Sequence, residues 1–219
     1  WFSMITNNLK KRIFTSLLLF FLFFLIYYFN FFLIYSLIVL GVLSLIEFYN
    51  AINKIIKSKL YTLFINITFS IFVSVFCYLF LFFSFNAQLK LIMFIILLGC
   101  IFSDIGGYLF GKTFGGPKLT NISPNKTIAG SVGSLLISAT SVFVLFFIFF
   151  GIYSLNILFV GLITSLACQM GDLFFSYLKR KAKFKDFGKY LPGHGGVLDR
   201  LDGIFFGVPS GLLALAILN

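Results

Sequence analysis

Acidic residues are scarce in this chain: six Asp and Glu stand against seventeen Lys and Arg in 219 residues, for a formal charge of +11. Cysteine, proline, histidine and tryptophan are sparser still, at three, four, one and one. Cys77, Cys100 and Cys168 each sit in an apolar stretch without CxxC spacing, which excludes a disulfide framework and a thiolate zinc centre and leaves them as small packing residues. The single histidine, His194, has no carboxylate or serine spaced to form a triad. No Pro-rich or Ser-rich linker divides the chain, and no repeat recurs at a fixed period.

What the chain has is hydrocarbon. Hydrophobic residues make up 60% of it and its mean hydropathy is +1.08, too little polar surface to solvate a globule of this size. The composition predicts an all-α, polytopic transmembrane helix bundle forming a single integral membrane domain over 1–219, with N-terminal spans in 1–98 and, in 99–219, a region that carries two polar cytoplasmic loops. About seven stretches reach spanning length, near 13–29, 31–50, 61–83, 90–111, 129–150, 154–178 and 201–218. The 34 phenylalanines are spread through all of them without a helical stripe, so the lipid-facing residues carry little functional information.

Orientation follows from the cations, because Lys and Arg in short loops accumulate on the cytoplasmic side. Seven spans collect Lys10, Lys11 and Arg12, then Lys54, Lys57 and Lys59, then Lys112, Lys118 and Lys126, and then seven more from Lys179 to Arg200, on one side. Only Lys90 falls on the other, so the N-terminus is expected inside and the C-terminus outside. The positive-inside bias and anionic headgroups account for such a face, and without a stacking platform or a recognisable module nucleic acid is not an expected partner. The basic run before the first apolar stretch imitates a secretory signal, but no small-residue cleavage site follows and further spans do, so a retained first helix is expected.

An acid in or beside an apolar span costs roughly 2.5–3.5 kcal/mol on insertion scales, so acids kept there usually hold a cation or carry protons. Asp172, Asp186, Asp199 and Asp202 are four of the six. Two polar stretches surround the chemistry-bearing residues. The first reads as a cytoplasmic loop running from Asp104 through Gly106, Gly107, Gly111 and Lys118 to Ser123, Lys126, Thr127 and Ser131. Glycines let backbone N–H groups approach an anion, and the helix start that follows adds partial positive charge. The Ser123-Pro124-Asn125-Lys126-Thr127 segment is thus either a phosphate-binding turn or a flexible re-entry loop whose glycines only form turns. Asp104, roughly two turns inside the fourth span, either snorkels or faces a water-filled cavity where it binds a cation or a ligand hydroxyl.

The second stretch begins at Asp172 inside the sixth span, passes Lys179, Arg180, Lys185, Asp186 and Lys189 to Pro192-Gly193-His194-Gly195-Gly196, and ends at Asp199-Arg200-Leu201-Asp202. Asp199 and Asp202 share a helix face by spacing, near a helix start where the dipole tolerates negative charge. Asp172 is expected about one and a half turns inside its span, where a loop folding back would bring it beside Asp199. Three hard carboxylates near lysines suit Mg²⁺, which takes one or two carboxylates and completes its shell with water and substrate phosphates. Such a donor set serves attack on a nucleotide phosphate, a reaction that needs in-line positioning and charge neutralisation more than covalent help. Between its glycines, His194 reads as a loop former or phosphate donor rather than a general base.

The run from Ser176 to Asp202 resembles the signature of the phosphatidate cytidylyltransferases, or CDP-diacylglycerol synthases: Ser, Lys-Arg, Lys-Asp, Pro-x-His-Gly-Gly, then Asp-Arg-x-Asp. The first stretch is similar to a second region of that family, Asp-x-x-x-Tyr followed by Gly-Lys and Ser-Pro-x-Lys-Thr-x-x-Gly, although Ala129 stands where many members carry Glu or Gln. The resemblance covers about residues 100–210. It implies transfer of CMP from CTP to phosphatidate, with pyrophosphate released and CDP-diacylglycerol left in the bilayer. It also implies that Asp172 and Asp199 hold Mg²⁺, with or without a second cation, and that Asp202 belongs to the same acidic site. By the same resemblance Lys179, Arg180, Lys185, Lys189 and Arg200 neutralise the phosphates, Asp104, Ser123, Lys126 and Thr127 belong to the CTP pocket, and His194, Gly195 and Gly196 contact substrate. A homodimer in a bacterial inner membrane, with its site facing the cytoplasm, is a family expectation.

A CDP-archaeol synthase or a CTP-dependent polyprenol kinase would use a similar site on another lipid, the kinase attacking the γ-phosphorus. A cation-coupled transporter would instead place its acids near the bilayer midplane on broken helices. The lysines beside these acids suit phosphate better. Asp199→Asn is expected at this level to abolish Mg²⁺-dependent turnover and leave folding intact.

Overall fold

The computed structural model describes residues 17–18, 21–120, 122–188, 190 and 195–218. Lys10, Lys11, Arg12, Lys189 and His194, together with residues 13–16, 19 and 20 of the first expected span, lie outside the described residues. Within that first span residues 21–28 are helical, as α1. Six long helices follow: α2 (Asn30–Ile55), α3 (Lys59–Ser84), α4 (Ala87–Phe114), α5 (Ile128–Phe150), α6 (Leu155–Lys181) and α7 (Leu198–Leu218). Each is long and apolar enough to cross a membrane, at 21 to 28 residues against the ~20 that a hydrocarbon core requires. The protein is an integral membrane protein. No water is available in hydrocarbon to pair a peptide group, so the helix, which pairs its own, is the form such runs adopt. One antiparallel bridge pairs Lys118 with Thr127.

The helices run further into the polar stretches than the sequence suggested. α4 continues to Phe114, so Gly106, Gly107 and Gly111 are helical and are not part of a phosphate-binding loop. α6 continues to Lys181, which sets Asp172 about two and a half turns from its end rather than one and a half. Once helical, a glycine spends its missing side chain on packing.

Contacts divide the described residues into two compact units, one drawn from 1–82 and 178–200, the other from 83–177 and 201–219. In the first, α2 and α3 are joined by Phe48 stacked on Phe69, ring centroids 3.8 Å apart, and the segment after α6 is tied to α2 by the Lys54 ammonium 4.4 Å over the Phe184 ring. In the second, α4, α5 and α6 surround a core of Ile95, Val142, Phe146 and Ile157.

Helix termini in the second unit are sealed locally. The Asn86 side chain accepts from the Gln88 and Leu89 N–H groups to start α4, and the Thr127 hydroxyl accepts from Gly130 N–H at 3.1 Å to start α5. α5 stops at Gly151, whose left-handed φ of 66° lets its N–H return to the Phe147 carbonyl.

Small residues set the spacing of α4 and α5. A Cβ on Gly106 would lie 2.6 Å from the Gly133 carbonyl oxygen, one on Gly130 would lie 2.7 Å from the Gly107 carbonyl, and one on Gly133 would overlap Cβ and Cγ of Phe110. Apolar helices gain nothing from leaving lipid for one another, so close backbone approach of this kind supplies much of their attraction. Gly133→Ala should therefore lower stability by about 1–3 kcal/mol through overpacking. Gly41→Ala in α2 meets only ordinary contacts, 3.5 Å and more away, and should be neutral or stabilising by up to ~1 kcal/mol. Thermal unfolding of both variants in one detergent checks the contrast, and equal midpoints would show that α4 and α5 can move apart.

Candidate functional site

In the second unit a cavity of about 160 Å³ opens among α4, α5 and α6. Its lining includes Asp104 from α4, Lys126 and Thr127 at the start of α5, and Gln169 and Asp172 from α6. The segment before α5 shapes its mouth by pairing with itself: Leu119 N–H donates to the Lys126 carbonyl at 2.7 Å, Lys126 N–H to that of Ser123 at 3.1 Å, and Ile128 N–H to that of Pro117 at 3.1 Å. This presents Lys126 beside the first turn of α5, at the positive end of that helix's dipole.

The Lys126 ammonium lies 2.7 Å from Asp172 Oδ2, with side-chain exposures of 32% and 16%. A half-buried ion pair at a helix N-terminus is a setting in which an anion can replace the carboxylate as the lysine's partner. The wall behind it is polar and internally satisfied. Gln169 accepts from the Ser131 hydroxyl and donates to the Ser131 carbonyl and the Ser165 hydroxyl, both at 3.3 Å. The Ser165 and Ser103 hydroxyls are 2.7 Å apart. Asn125 and Ser131, from the first polar stretch, also line the cavity, and so does Gln169, which was not anticipated. The signal for Gln169 was present, since Ser165, Gln169 and Asp172 recur at helical spacings of four and three in an apolar span.

In the first unit Asp199, in the opening turn of α7, gathers a different set of partners. Its Oδ1 is 2.9 Å from Lys179 Nζ, with side-chain exposures of 14% for the lysine and 7% for the acid. Its Oδ2 accepts from the N–H groups of Phe187 and Gly196, both at 2.9 Å. The carboxylate thus pins the segment between α6 and α7 at two backbone points. Gly195, at φ 87°, takes a conformation that a side chain would resist. A second acid, missed in the sequence, completes this unit: Glu47 of α2, 1% exposed, accepts from Val197 and Leu198 N–H at 3.0 and 2.7 Å. An isolated glutamate in an apolar span was itself the signal for it.

The structure thus gathers Asp104, Lys126, Thr127 and Asp172 in the second unit and Lys179, Gly196 and Asp199 in the first. Ser123 stands outside the cavity lining, on the turn whose carbonyl receives Lys126 N–H. Arg180, Lys185, Asp186 and Arg200 are exposed. Asp202 accepts from Gly203 N–H at 2.9 Å.

A family model described as the cytidylyltransferase family matches residues 1–218. The chain belongs to that family. Among curated relatives, a phosphatidate cytidylyltransferase of Helicobacter pylori (strain J99) is 48% identical over 109 residues, 49% of this chain and 41% of that protein. Phosphatidate cytidylyltransferases of Staphylococcus haemolyticus and Staphylococcus aureus (strain COL) are 45% and 48% identical over 109 residues, each match taking in 42% of the relative. The matched stretches are thus less than half the length of the relatives.

Among the described residues of either unit, no three His, Cys, Asp or Glu side chains gather into a metal-binding group. A Mg²⁺ ion that keeps water and phosphate ligands needs only one or two carboxylates, and these carboxylates suit it. Lys126 engages Asp172 through Oδ2 alone. A carboxylate offers about four lone-pair sites, and three of those on Asp199 are used by Lys179, Phe187 and Gly196.

Those same bonds revise the expectation that Asp199→Asn would leave folding intact. Asn retains one acceptor oxygen and turns an NH₂ toward donors, so a buried lysine or two backbone N–H groups lose their partner. Breaking a buried pair from one side costs about 3–5 kcal/mol. Asp199→Asn should lower the unfolding midpoint by several degrees, and an unchanged melt would show that water replaces the carboxylate there.

Proposed function

We propose that the chain is a Mg²⁺-dependent CTP:phosphatidate cytidylyltransferase, working at the cytoplasmic face of a bacterial inner membrane, with the family's homodimer as its expected assembly. The observation that carries this reading is the Lys126–Asp172 pair at 2.7 Å, set at the start of α5 in a polar cavity of an otherwise apolar helix set. Membership of the cytidylyltransferase family supports it, as do the names of the matched relatives. The collection of sixteen of the seventeen cations on one expected side supports the orientation.

In the reaction so read, an oxygen of the phosphatidate phosphate forms a bond to the α-phosphorus of CTP. The bond from that phosphorus to the bridging oxygen breaks, and pyrophosphate leaves with the electron pair. No proton need move, because the attacking phosphate is already ionised. Lys126 exchanges its carboxylate partner for a phosphate oxygen, and the first turn of α5 adds partial positive charge to the same group. Thr127 keeps that turn in place through its bond to Gly130 N–H. Gln169 and Ser131, locked to each other, form a rigid polar wall. Lys179, Arg180, Lys185, Lys189 and Arg200 supply further positive charge for the triphosphate and the lipid phosphate. Asp172, Asp199 and Asp202 are the carboxylates assigned to Mg²⁺, with Asp172 the one lining the cavity. Bound there, the ion would neutralise charge on the phosphate oxygens as a Lewis acid.

The test is incubation of the purified protein in detergent with α-³²P-CTP, Mg²⁺ and phosphatidate. Label should pass into the lipid phase only when phosphatidate and Mg²⁺ are both present. Release of CDP with a polyprenol, and no lipid label, would replace this reading with that of a lipid kinase. Lys126→Met should reduce labelling by about 10²–10³-fold, as for loss of one preorganised charge donor. Asp172→Asn should raise the Mg²⁺ needed for half-maximal rate, and an unchanged Mg²⁺ dependence would remove that residue from the metal site.

A further inference from the structure

Glu47 is the one acid of α2 and is buried among apolar residues, 1% exposed. A carboxylate in such a place is costly unless its oxygens are bonded. Both are: Oε1 accepts from Val197 N–H at 3.0 Å and Oε2 from Leu198 N–H at 2.7 Å. These are N–H groups at the start of α7, which no carbonyl of that helix can reach. α7 begins after Val197, a residue whose side chain cannot cap. The cap therefore comes from a residue some 150 positions earlier.

The surroundings are cut to this carboxylate. A Cβ on Gly188 would overlap the Glu47 carboxyl, and one on Gly196 would lie 2.7 Å from each of its oxygens and 2.6 Å from Gly188 N. Gly196, next to the capped amides, donates to Asp199 Oδ2 at 2.9 Å. Residues 196–199 are thus held from one direction by Glu47, while their own carboxylate is aimed by Lys179 and two backbone amides.

We propose that Glu47 is a positioning residue for the transfer reaction. It fixes the turn at 196–198 and, through that turn, the direction of the Asp199 carboxylate, without touching substrate. The proposal rests on the cytidylyltransferase reading above and adds to it a residue in the N-terminal half of the chain. The requirement is for two acceptors. Glutamine has nearly the same shape but offers one acceptor and one donor, so it must set an NH₂ against one of the two amides.

The experiment uses the full chain in detergent with Glu47→Gln and two readouts. Hydrogen–deuterium exchange at 196–199 should be faster by at least about tenfold, as expected when a buried amide loses its acceptor. In the lipid-labelling assay kcat should fall by about tenfold or more while KM for CTP stays within about threefold, the pattern of a lost transition-state alignment rather than a lost substrate contact. Unchanged kcat overturns the proposal, and so does a rise in KM that accounts for the whole effect. If Glu47→Gln does not fold, Gly188→Ala crowds the same carboxylate with a methyl group, keeps both acceptors and should reproduce both readouts; unchanged exchange and kcat in that variant overturn the assignment. A wild-type chain that labels no lipid fails the preceding reading and, with it, the catalytic half of this one. The exchange result still decides whether Glu47 holds the turn.

Discussion

A peptide group in hydrocarbon has no water to bond, and this single shortage accounts for most of what the chain does with its polar atoms. Six long helices satisfy the requirement internally. Two of the segments between helices, before α5 and before α7, satisfy it by different means. Residues 115–127 pair backbone with backbone, through Leu119 to Lys126 and Ile128 to Pro117. The segment before α7 instead borrows carboxylates, with Asp199 serving Phe187 and Gly196, and Glu47 serving Val197 and Leu198. In a chain with only six acids, two act as backbone acceptors for one short segment.

That use of acids explains why charge and stability cannot be separated here. Asp199 faces a lysine and two amides at once, so its ability to serve chemistry depends on a geometry that it also maintains. Asp172 is tied by a single lysine and can exchange partners at smaller structural cost. The difference lies in the number of donors each carboxylate satisfies, since an unpaired buried donor costs about 1–3 kcal/mol.

Packing in the second unit follows from the same solvent. Lipid removes the hydrophobic drive between helices, so α4 and α5 adhere by backbone proximity at Gly106, Gly107, Gly130 and Gly133, and each is bonded to α6, through Ser103 to Ser165 and Ser131 to Gln169. Close approach leaves little freedom for one helix to slide along another. The cavity walls at Asp104, Thr127 and Gln169 are carried on those helices, so their spacing is set by those glycines, of which Gly107 and Gly130 also line the cavity.

Composition by itself determined the solvent, and the long unbroken apolar runs determined the all-α membrane architecture, because a barrel, the other form that pairs its backbone in lipid, is built of short alternating strands. Local motifs were equally legible: the Ser176–Asp202 pattern and the Ser-Pro-Asn-Lys-Thr run pointed to the family because such residues act at short sequence separations. Helix ends were read less well. Glycines at 106, 107 and 111 look like turn formers in one dimension, and only an opposing helix shows them to be contact surfaces. Asp172 and Lys126, 46 residues apart, and Glu47 and Val197, 150 apart, were beyond sequence reasoning. Spacing along a chain states which side chains share a helix face, but which distant backbone group lacks an acceptor is decided only when the helices pack.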